Sequence, residues 1–464
     1  MTRAIPARSL SGPPVSRWLG FFPEFQRDAT GFLLRCHAFH PVTKLPMGRI
    51  AELIFRQPDM AMYLLNDPAD IKHVLVTHQQ QYLKGPVPPA ESHIFGHGIL
   101  HSEGEPHHHR RRILLPAFRR EHVVDYAELI TSRAKATADR WSEGSIIDVG
   151  HEMTQLTLSI IWVLLFGEDV GPEATHVAES VTVGTRLITK QYHSPLALLT
   201  PLWLPTRTHR TFARHTRRLD NLIRRLIHQR RIHRRSVGDL LGVLLAATDS
   251  HGTPLSDETI RDELVTMLLA GHETTANALS WTWWLLSQHH GARARVAEEA
   301  ATQLGHRLPG ADDVSRLIYT KMVWDEALRL YPPAWLLHTR VAQVEERLPS
   351  GVFLHAGAAI FLSPWSMHRD ARWFPDPHRF EPERFSPDAT AARPAFSYFP
   401  FGGGGHRCLG ESFAELEGIL ILATIMKTVR LRSVDGHTIH PDPLMTLRPD
   451  RPVLMTVHRP LSSS

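Results

Sequence analysis

Four consecutive glycines, Gly402, Gly403, Gly404 and Gly405, run into His406-Arg407-Cys408-Leu409-Gly410, and a long apolar helical pattern follows over 409–429. A backbone without Cβ atoms admits the close approach of something flat and bulky. A cysteine at the start of a helix faces unpaired N–H groups and the positive end of the helix dipole, which favour the thiolate. Three chemistries use such a loop. A phosphate-binding loop would end in Lys followed by Ser or Thr, where this chain has Arg407-Cys408. A nucleophilic cysteine requires a base, and His406 is its neighbour in sequence without thereby facing it. The third use is a thiolate ligand to haem iron. The chain has one further cysteine, Cys36, so a disulfide framework is excluded. Two reduced thiols fit a cytoplasmic protein.

Hydrophobic periodicity predicts a mainly α protein with small β-sheets. Apolar residues recur at helical spacing over 125–140, 152–165, 207–234, 256–288, 308–330 and 409–429. Short strands are predicted at 50–55 and 60–65, a helix over 68–77, and further strands at 352–354 and 358–362. The C-terminal tail reads as a strand hairpin limited by Pro441, Pro443 and Pro449. No Gly/Ser linker divides the 464 residues and no repeat stands out. One domain is therefore expected over 1–464, with a small β-rich part built from both chain ends and a poorly ordered segment over 1–20. No fused flavin or reductase domain is expected behind Cys408.

Hydrophobic residues make up 42% of the chain and charged residues 21%, as in ordinary globular proteins. No apolar run reaches the roughly 18 residues that span a bilayer, and the N-terminus lacks the apolar stretch of a secretory signal. An unanchored cytoplasmic monomer is expected. The formal charge is +5. Its basic clusters, over 110–120 and 224–235, are interrupted by apolar residues at helical spacing and read as solvated helix faces. Zinc-finger spacing and aromatic RNA-binding signatures are both missing, so no nucleic-acid partner is expected. His107-His108-His109 invites a metal reading, but consecutive helical residues point in different directions and cannot all ligate one ion.

Other segments break local rules. Ala270-Gly271-His272-Glu273-Thr274-Thr275 sits midway along the 256–288 pattern, which spans about 50 Å as a helix. Ser256 suits its N-cap, with Asp257 and Glu258 in the first turn. An interior glycine costs about 1 kcal/mol relative to alanine, and an acid and two hydroxyls are poor core residues. The flanks Leu268, Leu269 and Ala276 nevertheless argue for burial, and rules broken inside a buried helix mark function. Glu326-Ala327-Leu328-Arg329 puts an acid and a base on one helix face. Phe380-Glu381-Pro382-Glu383-Arg384-Phe385 lies between it and Cys408.

Phe401, Gly404, His406, Cys408 and Gly410 resemble the cysteine signature of the cytochrome P-450 family. The Glu326/Arg329 helix, the Arg384 segment, the Glu273-Thr274 segment and the His107/Arg111 pair resemble that family's other motifs, in its order. The resemblance implies the P-450 fold, a triangular helical body with a small β-rich subdomain. It implies haem b (iron protoporphyrin IX) with Cys408 as axial thiolate, and Phe401 and Gly410 beside the cofactor. The propionates would be held by His107, Arg111, Arg340 and His406. Glu326, Arg329 and Arg384 would form a structural cluster, internally paired as burial demands. Thr274 would hydrogen-bond dioxygen, Glu273 would relay protons, and Gly271 would leave room for oxygen.

The activity implied is that of a soluble bacterial-type haem-thiolate monooxygenase. It would hydroxylate or epoxidise an apolar small molecule, such as a terpenoid or polyketide of secondary metabolism, using dioxygen and two electrons. The electrons would come from a separate ferredoxin or flavodoxin with its reductase, docked on the basic surface of 110–120 and Arg407. The same fold could also carry out oxidative coupling or another non-insertion oxidation, or bind haem without catalysis. The Glu273-Thr274 pair argues for dioxygen activation. By position, the pocket would be lined by 86–100, 185–204, Leu268, Ala270, Ala334, Trp335, Leu337 and Met445. His93, His97 and His193 read as exposed loop histidines.

Overall fold

The computed structural model describes residues 5–6, 10–56, 59–169, 171–193, 200–204, 206–233 and 238–459. Its axis is the central helix Asp257–Gln288, capped as expected by Ser256, whose hydroxyl accepts from the Thr259 amide. Helix Val149–Phe166 lies along it. The Thr157 hydroxyl donates to the His272 carbonyl at 3.0 Å, and a Cβ on Gly271 would stand 2.9 Å from Ile161 Cδ1. Gly271 therefore lets two helices close on each other, a different reason for glycine from the expected space for oxygen. Val149–Phe166 is apolar and long enough to cross a membrane, yet 61% of it is buried in the protein.

The cysteine helix Glu411–Thr428 packs against Ala127–Asp139, His290–Leu304 and Ile318–Leu330. On the other side Ala174–His193 packs on Arg207–His233, which meets the central helix. The helix expected over 308–330 is split. Pro309 cannot continue a helix, and the Asp313 carboxylate accepts from the Gly310 amide at 2.8 Å to close the short turn Ala311–Ser315. The strand expected at 50–55 is instead the helix Gly48–Phe55. Ile50, Leu53 and Ile54 recur at helical rather than alternating spacing.

Five strands form the main sheet in the order Val42–Pro46, Ala61–Leu65, Ala359–Phe361, Arg340–Ala342, Tyr82–Lys84. The second and third run parallel and the other pairs antiparallel. The β-rich part thus combines early strands with strands from the 340–361 region. The final strand, Leu454–His458, instead pairs with Arg430–Ser433 and Ile146–Asp148 beside the helical body. The expected tail hairpin is present as Pro441–Pro443 against Leu447–Pro449. Nor is all of 1–20 loose: Ile5–Pro6 pairs with Val352–Leu354, and a Cβ on Gly12 would lie 2.0 Å from the Lys44 carbonyl oxygen.

A fully buried ion pair joins the two parts. Arg329 reaches Glu326 through Nε at 2.6 Å and Nη2 at 2.8 Å. Its remaining donors hold the carbonyls of His368 at 2.8 Å, Pro377 at 2.7 Å and Arg379 at 3.1 Å. Arg384 completes the expected cluster from its rim, 3.7 Å from Glu326 but 2.8 Å from Glu381. His368, kept neutral by burial and by the nearby Arg329 and Arg369, accepts from the Phe399 amide at 2.9 Å through Nε2. Replacing Arg329 with Ala strands a buried carboxylate and three carbonyls. It is expected to destabilise the haem-loaded protein by about 3–5 kcal/mol, read as a lower urea midpoint; an unchanged midpoint would show that the pair carries no structural weight.

Candidate active site

The cysteine loop is closed by hydrogen bonds from the Gly402 amide to Phe399 O and from the Cys408 amide to Phe401 O, both 3.0 Å. Gly402 and Gly404 adopt positive φ angles of 70° and 65°, which favour glycine. A Cβ on Gly404 would meet the Leu75 carbonyl oxygen at 1.8 Å, and one on Gly403 would meet the Phe396 ring at 2.4 Å. The Gly405 amide donates to Gln79 Oε1 at 2.6 Å. The protein packed against the loop therefore demands these glycines, where the sequence suggested a flat partner. Gly402 is less confined, since a Cβ there would stand 3.9 Å from Leu337 Cδ1, and one on Gly410 would meet nothing within 4 Å.

Cys408 is exposed rather than packed into the core, although protein crowds its thiol. Desolvation pushes its thiol up to about 11, and the Gly410 amide, Arg111 and Arg407 offset only part of this. The expected lowering by a helix N-terminus is not met, because the helix begins at Glu411 with Gly410 as N-cap, beyond the cysteine. A coordinated metal ion deprotonates such a thiol outright. Cys36 is buried in the N-terminal core, its thiol pushed up to about 12.

The central helix is buried along most of its length, yet Ala270 is exposed and Gly271, Glu273 and Thr274 are partly so. The Thr274 hydroxyl donates to Ala270 O at 2.7 Å, which leaves its oxygen lone pairs to accept. Glu273 Oε1 accepts from the Thr446 hydroxyl at 2.8 Å and lies 3.8 Å from Arg448. Arg448 also donates to the Thr185 hydroxyl at 3.1 Å. The acid is thereby tethered to the C-terminal hairpin and to the Ala174–His193 helix.

A third group gathers cations. Strand register sets Lys84 opposite Arg340. The His107 and His406 rings are 4.1 Å apart, and His406 Nε2 is 3.3 Å from Glu103. Burial first, then the neighbouring positive charges, lowers His107 to about 3. Burial and Arg340 lower Lys84 to about 8, against the attraction of Glu103. His338 falls to about 4, chiefly through burial. Glu103 is held at about 2, because hydrogen bonds from His406 and the Lys84 amide outweigh its burial. Arg340 Nη1, His338 Nε2 and His406 Nδ1 are buried without a hydrogen-bond partner. The free Arg340 donor, with His406 beside it once that ring is protonated, fits the propionates of haem b, whereas His338, whose Nδ1 lies against Thr339 O, presents an acceptor at Nε2.

The structure thus brings together His107, Arg340 and His406 of the expected propionate ligands. Arg111 instead donates to Arg407 O at 2.8 Å, beside the cysteine. Lys84, Glu103 and His338 were missed by the sequence reading, since only strand pairing and chain crossing bring them here. Of the expected pocket residues, Leu268 is fully buried in the core. Trp335 is 4% exposed and donates its indole N–H to Leu444 O at 2.8 Å; neither side chain lines open space. Ala334, Leu337 and Met445 are half-buried, and His93 and His97 are exposed. Residues 194–199 of the expected wall, and the side chain of His193, lie outside the described residues. Two cations of the expected docking surface are paired, Arg110 with buried Glu263 at 2.6 Å and Arg407 with Glu411 at 2.6 Å. Arg112, Arg119 and Arg120 are exposed.

A family model described as Cytochrome P-450 matches residues 44–457. This chain is a cytochrome P-450. It is 36% identical over 403 residues to cyclooctatin synthase of Streptomyces melanosporofaciens, covering 86% of each chain. It is 34% identical over 450 residues to cyclooctat-9-en-7-ol 5-monooxygenase of the same organism, covering 94% of each. Pentalenene oxygenase of Streptomyces avermitilis is 34% identical over 369 residues, covering 79% of each. The crystal structure of the P-450DA heme domain shares the fold with a TM-score of 0.85 at 24% identity, covering 99% of each chain. The P-450 is a monooxygenase whose haem takes a cysteine thiolate as axial ligand.

One acid of this P-450 was not singled out in the sequence, although it interrupts the apolar run of the cysteine helix. Glu417 is fully buried and neither carboxyl oxygen has a hydrogen-bond partner. The nearby Thr275 hydroxyl donates instead to Gly271 O at 3.3 Å. Burial pushes the Glu417 carboxyl well above its ordinary 4.5. In the unfolded chain it ionises above about pH 4.5 while in the folded protein it stays protonated, so its contribution to stability declines from there up to the folded pKa. Glu417→Gln removes this titration. Its melting temperature relative to the parent protein is expected to rise between pH 5 and pH 8, and a difference independent of pH would contradict a protonated Glu417.

Proposed function

We propose that Cys408 is the axial thiolate of haem b, that His107, Arg340 and His406 hold its propionates with Phe401 and Gly410 alongside, and that the enzyme hydroxylates or epoxidises a terpenoid. The observation that carries the reading is the buried, unpartnered Arg340 donor opposite Lys84, with the His107 and His406 rings paired in the same cluster, together with an exposed Cys408 in the glycine loop. Haem held there supplies the oxygen-activating chemistry.

The chain's own residues do the rest. Thr274 has its hydroxyl proton engaged by Ala270 O, so its Oγ accepts a hydrogen bond from the reacting oxygen site and holds a proton there. Glu273 takes protons from solvent when it parts from Thr446 and Arg448, and passes them toward Thr274. Ala270, Ala334, Leu337 and Met445 offer an apolar wall that orients a hydrocarbon skeleton and keeps water out. The names of the relatives, an alkene oxygenase and an alkenol monooxygenase among them, support a terpenoid hydrocarbon or alcohol as substrate. Electrons come from a separate ferredoxin or flavodoxin docked at Arg112, Arg119 and Arg120, and the free thiol of Cys36 suits the cytoplasm.

With labelled dioxygen, one labelled atom is expected in the product; product without label would overturn oxygen insertion. Cys408→Ala is expected to abolish the spectrum of a thiolate-ligated, carbon-monoxide-bound haem. Glu273→Gln is expected to lower kcat by on the order of a hundredfold with little change in KM. A matching fall in kcat/KM through KM alone would instead assign Glu273 to substrate binding.

A further inference from the structure

A second cluster of ligating side chains lies outside this site, and the helix geometry that assembles it is unusual. Helix Pro68–Lys72 continues as a π-helical turn over His73–Thr77, in which the His78 amide donates to His73 O at 2.9 Å. In an α-helix, residues five apart point about 140° away from each other. The wider π turn aligns them instead, and such turns recur at functional sites. Here it sets the His73 and His78 rings side by side, 4.0 Å between centroids. Glu346, from the strand Glu346–Arg347, meets both: its Oε1 lies 2.9 Å from His73 Nε2 and contacts His78 Nδ1. The three ligating atoms all fall within 4.8 Å of one another.

A carboxylate accepting from two imidazoles would explain the proximity but not its orientation. His73 Nε2 is buried and poorly aligned for a hydrogen bond despite its 2.9 Å approach to Oε1. Two ligands of one tetrahedral zinc ion stand about 3.3 Å apart with both lone pairs aimed at the ion rather than at each other. The Tyr82 hydroxyl donates to Glu346 Oε2 at 2.7 Å, the kind of outer hydrogen bond that orients a ligating carboxylate. The His78 side chain is 40% exposed, which gives an ion access and leaves a fourth position to water.

We propose that His73, His78 and Glu346 form a binding site for a divalent transition-metal ion, with zinc as its ligand of choice. Two imidazoles and one carboxylate suit zinc and its neighbours over magnesium or calcium, which take all-oxygen sites. The site has a mechanical connection to Cys408. The π turn supports the cysteine loop, with Leu75 O against Gly404 and Gln79 holding the Gly405 amide. A bound ion would clamp this turn to the strand at Glu346 and stiffen the support of the haem ligand without touching the reaction.

The test uses the haem-loaded protein, stripped with a chelator and titrated with zinc chloride by calorimetry, with zinc X-ray absorption on the product. One zinc per chain in an imidazole-containing shell is expected, together with a higher melting temperature and slower haem loss. His78→Ala and Glu346→Gln are each expected to weaken this zinc by on the order of a hundredfold, while His108→Ala with His109→Ala leaves it in place. The isosteric Glu346→Gln serves if His78→Ala fails to fold, and the carbon-monoxide-bound spectrum checks folding in both. Unchanged zinc affinity in the two site variants overturns the proposal. So does zinc lost only with His108 and His109, which would be adventitious surface binding, or the absence of a site of micromolar affinity.

Discussion

The buried pair of Glu326 and Arg329 is the contact on which the rest of the structure hangs. Removing two charges from water is costly, and their mutual attraction repays this only when every remaining donor and acceptor is also satisfied. Arg329 meets that condition by binding three backbone carbonyls from the 368–379 region, and Glu326 by accepting from the Glu381 amide. These contacts hold an irregular stretch in place without secondary structure. Through His368 and the Phe399 amide the same network reaches the root of the cysteine loop. The position of Cys408 is thus set by charge pairing some eighty residues upstream as much as by its own loop.

The loop itself is shaped by exclusion. Leu75, Gln79 and Phe396 press so closely against Gly403, Gly404 and Gly405 that side chains there would collide with protein. The cysteine is left uncovered in a desolvated setting that disfavours a bare thiolate. Across the loop, Lys84 and Arg340 carry more positive charge than Glu103 alone can balance, beside a His107 that burial keeps neutral. Both imbalances have one physical resolution, a cationic metal centre at the cysteine and an anionic rim at the basic cluster, and haem b carries both.

Much of this was legible in the sequence. The long central helix, its Ser256 cap, the Glu326/Arg329 face and the lone cysteine after four glycines depend on spacing along one chain, which periodicity reports. Other features resisted for specific reasons. Gly271 reads as a gap for a ligand until Ile161, from another helix, is found against it. Trp335 reads as pocket lining until its indole N–H finds Leu444 O. Arg110 reads as a free surface cation until Glu263 is seen beneath it. In each case the partner is distant in sequence and no local pattern names it.

The sequence by itself singled out Cys408, the Glu273-Thr274 pair and the Glu326/Arg329 pair and set the mainly helical class, because these stand out by residue type and short-range spacing. Only the tertiary structure decided the environment of each. It raised the Cys408 thiol where the local loop suggested lowering, tied Glu273 to Thr446 and Arg448, added Lys84 and His338 to the basic cluster, and aligned His73 and His78 on Glu346 through a π turn. Desolvation, charge balance and hydrogen-bond partnership are sums over neighbours in space, and a linear chain does not list its neighbours until it has folded.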